Sequence, residues 1–214
     1  MVLGIYGAGG CGKEIKDIAE VLDVWEEIVF IDDTVEAGIY RNIKRIPFEI
    51  FCQNYDINNA EVIVALGEPE YKIGIYKKVR EKGFSFANVI HPTVWISPSA
   101  RLGKGIYAKN GAVISCDTVI GDNVGIEFQA IIGHDCIIDS GCQISPMAAI
   151  GGHCEIGRGT HLGMNVLIKE GTKIGGNSVL GMGSVVQRDI PENVIALGNP
   201  ARVMKYKNDT KVFR

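Results

Sequence analysis

The chain has 214 residues, 46% of them apolar, and a formal net charge of −3. This size suits one or two domains with a packed core, the charge gives no electrostatic footing for nucleic acid, and no stretch approaches the roughly eighteen apolar residues of a membrane-spanning helix. The apolar start is broken by glycines and by Lys13, so neither export nor membrane insertion is expected, and a cytoplasmic setting with reduced thiols is.

Val2–Tyr6 reads as a short strand, 11–22 as a helix and 28–31 as a second strand. Residues 34–58 show no clear pattern. Beyond them, 59–66 reads as a third strand, and 68–82 as a helix with Tyr71, Ile75, Tyr76 and Val79 near helical spacing and Gly83 as its C-cap. A last short strand, 86–90, leads onward. The β, α, β alternation predicts a small parallel sheet covered by helices over residues 1–88, with room for only one half of a full dinucleotide fold.

Between the first strand and helix lies Gly7-Ala8-Gly9-Gly10-Cys11-Gly12, and Asp32 and Asp33 close the second strand about twenty residues on. Glycines let a backbone approach a phosphate that the N–H groups of the helix terminus stabilise, and a carboxylate there accepts hydrogen bonds from a ribose or base. The expected ligand is one nucleotide, with phosphates at Gly9, Gly10 and Cys11, the base near Asp32 and Asp33, and a further contact at Gly67. The alternative is that the glycines serve only close packing of strand on helix.

From Ile90 to Val186 every sixth residue is aliphatic, and only Ala108 is not Ile, Leu or Val. A period of six fits neither a helix nor an isolated strand; it fits short parallel strands joined by tight corners, three hexapeptides to a coil. Four places after each aliphatic residue stands a mostly small one, such as Ala130, Cys136, Cys142 or Cys154, and one place earlier a column rich in Gly, Asn and Asp supplies corners with positive φ. Three cysteines are thereby explained as packing, and no CxxC pair suggests structural zinc. Residues eighteen apart stack, which sets His153 beside Asp135, His161 beside Gln143 and Gly152 beside His134.

Together Tyr6–Gly12, Phe30-Ile31-Asp32-Asp33, the hexapeptide array, Ile132-Gly133-His134-Asp135-Cys136 and Gly198-Asn199-Pro200-Ala201 resemble the left-handed β-helix acyltransferases of bacterial glycan biosynthesis, in the group of sugar-nucleotide N-acetyltransferases and sialic-acid O-acetyltransferases. The resemblance spans nearly the whole chain. It implies an α/β half-Rossmann domain over 1–88 that binds a nucleotide sugar, a left-handed parallel β-helix with a tail over 89–214, acetyl-CoA as co-substrate, and homotrimers with acetyl-CoA between subunits.

On the same footing His134 is the general base and Asp135 its orienting partner, although Asp135 also sits in the corner column where Asp serves the turn alone. His153 stands near enough to assist. The family places a histidine against acetyl-CoA where this chain has Gln143, and Gly152, Met164 and Gly181 align with the acetyl-CoA groove; their alternative role is in corners and exposed strands. Arg202, Lys205 and Lys207 of the tail are candidates for the coenzyme's 3′-phosphate, with a solvated tail as the default. The oxyanion donor is expected from a backbone N–H, at Gly133 or Gly152.

The leading reading is therefore transfer of acetyl to a UDP-linked amino sugar. The same base serves O-acetylation of sialic acid or another sugar. A third class is a trimeric metal enzyme, which needs three histidines across an interface, or a noncatalytic trimeric scaffold.

Overall fold

The computed structural model describes residues 1–207. The first part is a six-stranded sheet. Its strands are β1 (Val2–Tyr6), β2 (Glu27–Ile31), β3 (Gly38–Tyr40), β4 (Ile43–Ile46), β5 (Ala60–Val64) and β6 (Ser85–Phe86), in spatial order β3-β4-β2-β1-β5-β6. All pairs are parallel except β3 with β4.

β1 and β5 are almost wholly apolar because helices cover both faces of a parallel sheet. Helix α1 (Gly10–Leu22) buries Ile15, Ile18 and Ala19 against Leu3, Ile5, Phe30 and Ile63 on one face. On the other, α2 (Phe48–Asn54) and α3 (Pro69–Glu81) bury Phe48, Phe51 and Val79 with Val29, Ile31 and Val62.

Residues 34–58, unpatterned in the sequence, form the β3–β4 hairpin and α2. The hairpin turns at Arg41 and Asn42, with φ of 50° and 63°, the left-handed pair that a two-residue hairpin loop requires. The strand expected over 86–90 is in fact two. Ala87 N–H still bonds to Val62 O in the sheet, whereas Val89 N–H bonds to Ile106 O in the coil. Asn88 makes the break by accepting from Ile106 N–H and donating to Gly103 O.

From Val89 the chain winds as a left-handed parallel β-helix with three faces of two-residue strands. From Val89 to Val186 the ladders step by eighteen residues, as in Tyr107↔Gly125, Val113↔Ile131 and Val119↔Ile137, and where the tail joins, the step shortens to sixteen at Val179↔Ile195. The aliphatic column points inward; Ile114, Ile126, Ile132, Ile144 and Leu162 are fully buried. The small-residue column does more than fit. Thr118 Oγ1, Cys136 Sγ, Cys154 Sγ and Thr160 Oγ1 donate to the carbonyls of Gly133, Gly151, Lys169 and Gly175, so donors inside the prism satisfy corner carbonyls that alanine would leave unpaired.

At the corners every sixth residue from Gly105 to Gly183 has positive φ. Two of them, Gln129 and Met147, are types that seldom adopt it.

One face of the prism is closed by the α/β unit and the tail hairpin, Val194–Leu197 with Arg202–Tyr206. The outward residues Tyr107, Gln143 and His161 are buried there. The other two faces expose apolar side chains, Trp95, Ile131 and Leu167 on one and Val119 and Ile137 on the other.

Candidate active site

His134 and Asp135 form a corner between the two open faces. Backbone bonds fix it: Asp135 N–H to Cys116 O below, and His153 N–H to His134 O above. His134 Nδ1 lies 2.8 Å from Asp135 Oδ2. A carboxylate only accepts, so Nδ1 carries the proton and Nε2 presents its lone pair. Both side chains are about half exposed.

Gly152, one coil above, makes room for the ring: a Cβ there would stand 2.6 Å from His134 Cε1 and Nε2. His153 sits edge-on to His134 with ring centroids 4.9 Å apart, and its Nδ1 is 3.9 Å from the same Asp135 oxygen. Glu170 completes a group of potential metal ligands with the two histidines. Gly133 N–H is spent on Ile150 O in the ladder, which removes it as an oxyanion donor.

The glycine-rich turn rims a cavity of about 410 Å³ whose lining includes Gly9, Asp32, Asp33, Thr34, Gly67 and Tyr71. The glycines divide by role. A Cβ on Gly12 would stand 1.8 Å from Gly7 O, so Gly12 serves close packing, while Gly9 and Gly10 face open space. Helix α1 begins there with no side-chain cap and no acidic residue in its first turn, leaving its first N–H groups for an anion.

Gly10 and Cys11 lie outside the cavity lining. The Cys11 side chain packs in the cluster around Tyr107, and burial raises its pKa, so its expected phosphate contact reduces to the backbone N–H.

The two aspartates also divide. Asp33 Oδ2 accepts from Tyr6 Oη at 2.5 Å and from Lys78 Nζ at 2.7 Å, and Oδ1 accepts from Phe48 N–H. Burial works to raise its pKa, but Lys78, Tyr6 and the Phe48 N–H outweigh it and hold the carboxyl below its usual range. Asp33 thus ties β1, α2 and α3 together while still lining the cavity beside Asp32. Asp32 Oδ1 accepts from Thr34 N–H and Oγ1, leaving Oδ2 without a protein donor among the described residues.

A second cavity, about 400 Å³, runs between the α/β unit and the covered coil face. Gln143, Met164 and Gly181 line it together with Gly67, Glu127 and His161. Three of the four residues aligned with the acetyl-CoA groove therefore share one wall, and Gly152 lies apart, one coil above His134. Gly67 borders both cavities.

Gln143 is only 3% exposed. Its Oε1 accepts from Tyr107 Oη, and its Nε2 donates to Glu127. Lys109 bridges Glu127 and Glu14, while Lys72, fully buried, lies 3.4 Å from Cys142 O and Gln143 Oε1. Burial pushes Lys72 down to about 8 and His161 down to about 4.

Sequence reasoning missed Lys72, Tyr107, Lys109 and Glu127. Tyr107 holds an outward strand position on the covered face, Lys109 and Glu127 directly follow strands of that face, and Lys72 lies on α3, which packs over it. Arg202 and Lys205 are exposed on the tail hairpin.

Family models agree with this anatomy: one described as the PglD N-terminal domain matches residues 2–79, and one described as bacterial transferase hexapeptide (six repeats) matches 117–152 and 153–188. The acetyltransferase domain of PglB from Neisseria gonorrhoeae FA1090 is 31% identical over 95% of this chain and 99% of that one, with a TM-score of 0.90. The same domain in complex with acetyl coenzyme A gives 30% identity, 95% and 98% coverage and a TM-score of 0.90. A mutant perosamine N-acetyltransferase from Caulobacter crescentus, in complex with CoA and GDP-perosamine, gives 28%, 96%, 97% and 0.90. Among the described residues no helix is long and apolar enough to cross a membrane. With the half-Rossmann sheet, the three-faced coil and these likenesses in hand, the chain belongs to the hexapeptide-repeat, left-handed β-helix sugar acetyltransferases and is an acyltransferase.

Proposed function

We propose that the protein transfers the acetyl group of acetyl-CoA to the amine of a nucleotide-linked amino sugar, with His134 as general base. The observation that carries this is the His134–Asp135 pair, which fixes one tautomer and leaves Nε2 without a hydrogen-bond partner among the described residues, on an exposed corner. The amine nitrogen attacks the thioester carbonyl carbon as Nε2 takes its proton. The tetrahedral intermediate then collapses, the C–S bond breaks, and the proton returns to the departing thiolate.

Residues 1–88 act as the nucleotide-sugar unit and 89–214 as the transfer unit. Phosphates sit on the N–H groups of α1 over Gly9 and Gly10. The single free oxygen, Asp32 Oδ2, suits the one imide N–H of uracil better than the paired donors of guanine, which favours a UDP-linked acceptor. The cavity shared at Gly67 extends from there toward Gln143, Met164 and Gly181, and supports acetyl-CoA or the sugar arm along that wall.

Within one chain this cavity lies on the covered face, and His134 lies on the corner between the other two. A homotrimer packed through the exposed apolar faces at Trp95, Ile131 and Ile137 brings one subunit's cavity to the next subunit's His134. The reaction is placed in the cytoplasm, in keeping with six free cysteines.

The test is a thermal-shift and activity screen of acetyl-CoA with UDP-linked and GDP-linked amino sugars, the corresponding hydroxyl sugars, and sialic acid. Turnover of a UDP-linked amino sugar alone is expected. Transfer to a hydroxyl acceptor in preference to every amine overturns the reading.

A further inference from the structure

We infer that the His134 corner is also a binding site for a divalent transition metal, best matched to zinc, with His134, His153 and Glu170 as its ligands. Their donor atoms all lie within 4.8 Å of one another on one chain. Small rotations of three exposed side chains close that span to the separation of about 3.3 Å between donors that each stand about 2.0–2.1 Å from zinc. Two imidazoles and one carboxylate, with a fourth position open to water, form a donor set that zinc accepts in tetrahedral geometry.

Three independent features assemble this set. Glu170 stands two coils above His134 in the same column, and the residue between them is Gly152, whose missing side chain keeps the path between ring and carboxylate clear. His153 occupies the next corner, between Asp135 and Gly171 in the stack, and its ring stands edge-on to that of His134 with centroids 4.9 Å apart. Asp135 accepts from His134 Nδ1 at 2.8 Å, so it orients the ring in the manner of the carboxylates that stand behind metal-bound histidines.

The site rests on this geometry alone, but its consequence rests on His134 being the base. Zinc on Nε2 occupies the lone pair that would accept the amine's proton, so metal binding and acetyl transfer exclude each other. Zinc is then a reversible inhibitor.

The experiment uses metal-free full-length protein without acetyl-CoA or acceptor, titrated with zinc against a chromophoric chelator. Wild type is expected to take one zinc per chain, and Glu170→Gln and His153→Ala each to weaken binding roughly tenfold or more. Cobalt substitution should give the intense visible absorption of a low-coordinate site, and the variants should need roughly tenfold more zinc than wild type for the same rise in thermal midpoint. Binding well below one equivalent, or unchanged affinity in both variants, overturns the site. In a parallel transfer assay zinc should inhibit wild type, a chelator should restore it, and Glu170→Gln should keep its rate and require roughly tenfold more zinc. Zinc that binds as expected yet leaves wild-type transfer intact overturns the inhibitory role. Because binding is read without turnover, it remains separate from any failure of His134 as base, which the His134→Ala rate alone decides.

Discussion

The rim of the α/β sheet and the His134 corner of the coil hold their polar groups in opposite ways. At the rim, side chains do the structural work: Asp33 gathers Tyr6, Lys78 and the Phe48 N–H, and Asp32 is half engaged with Thr34. At the corner, backbone ladders above and below do it, and His134 is asked for one bond to Asp135. A coil that fixes its corners through the backbone can place reactive side chains at half exposure without using them as struts. The rim must divide its residues between holding the fold and meeting a ligand.

The corner loses its backbone support altogether if the coil's interior is disrupted. Ile138 is 1% exposed inside the prism. Ile138→Asp puts an unpaired charge there, and no folded protein is expected by circular dichroism or size-exclusion chromatography.

Next in size is the junction between the regions. Burial pushes Lys72 down to about 8, whereas the unfolded chain keeps its proton to about 10.5. Between those values the unfolded state binds more protons, so the share of stability that Lys72 governs should rise with pH from about 8, by up to about 3 kcal/mol. The buried thiols of Cys11 and Cys142, raised by burial, oppose the rise above about pH 9, and Tyr107 does so above about pH 10, so the lysine's share is read as the difference between wild type and Lys72→Met. Lys72→Met should flatten the rise and stabilise the protein at neutral pH, as read from denaturant unfolding across that range. An unchanged slope counts against a buried, shifted lysine.

Smaller effects separate the two aspartates. Asp33→Ala should cost about 1–2 kcal/mol of stability after allowance for its exposure. Its contribution is present above the ordinary carboxyl range and is lost as pH falls below it, because the folded protein holds this group low. Asp32→Ala should leave the melting temperature alone and raise the acceptor KM by about tenfold, the worth of one hydrogen bond to a charge. The reverse pattern, a stable Asp33→Ala with a raised KM, would show that the division of roles has been assigned the wrong way round.

Much of this architecture is legible in the sequence, for physical reasons that also mark where legibility ends. The inward aliphatic column repeats because a narrow prism admits little else, and the corner column repeats because positive φ favours Gly, Asn and Asp. Hairpin β3–β4 hides because its turn depends on Arg41, a residue with no turn signature. Lys72 hides because a lysine on an amphipathic helix reads as solvated until a second unit covers it. Of the candidate site, His134 and Asp135 stand out by motif and Gly9 by its turn, while Asp33 reads like Asp32 until their partners are seen. Glu170 follows from stacking arithmetic only once Gly152 is recognised as a gap rather than a corner.

The most direct measurement is kcat/KM of His134→Ala with acetyl-CoA and an amino-sugar acceptor, taken beside its melting temperature and sedimentation. A loss of about 100-fold or more with fold and assembly unchanged is predicted from the contribution of a general base. A variant that turns over within about threefold of wild type contradicts the account, because proton transfer would then not depend on this imidazole.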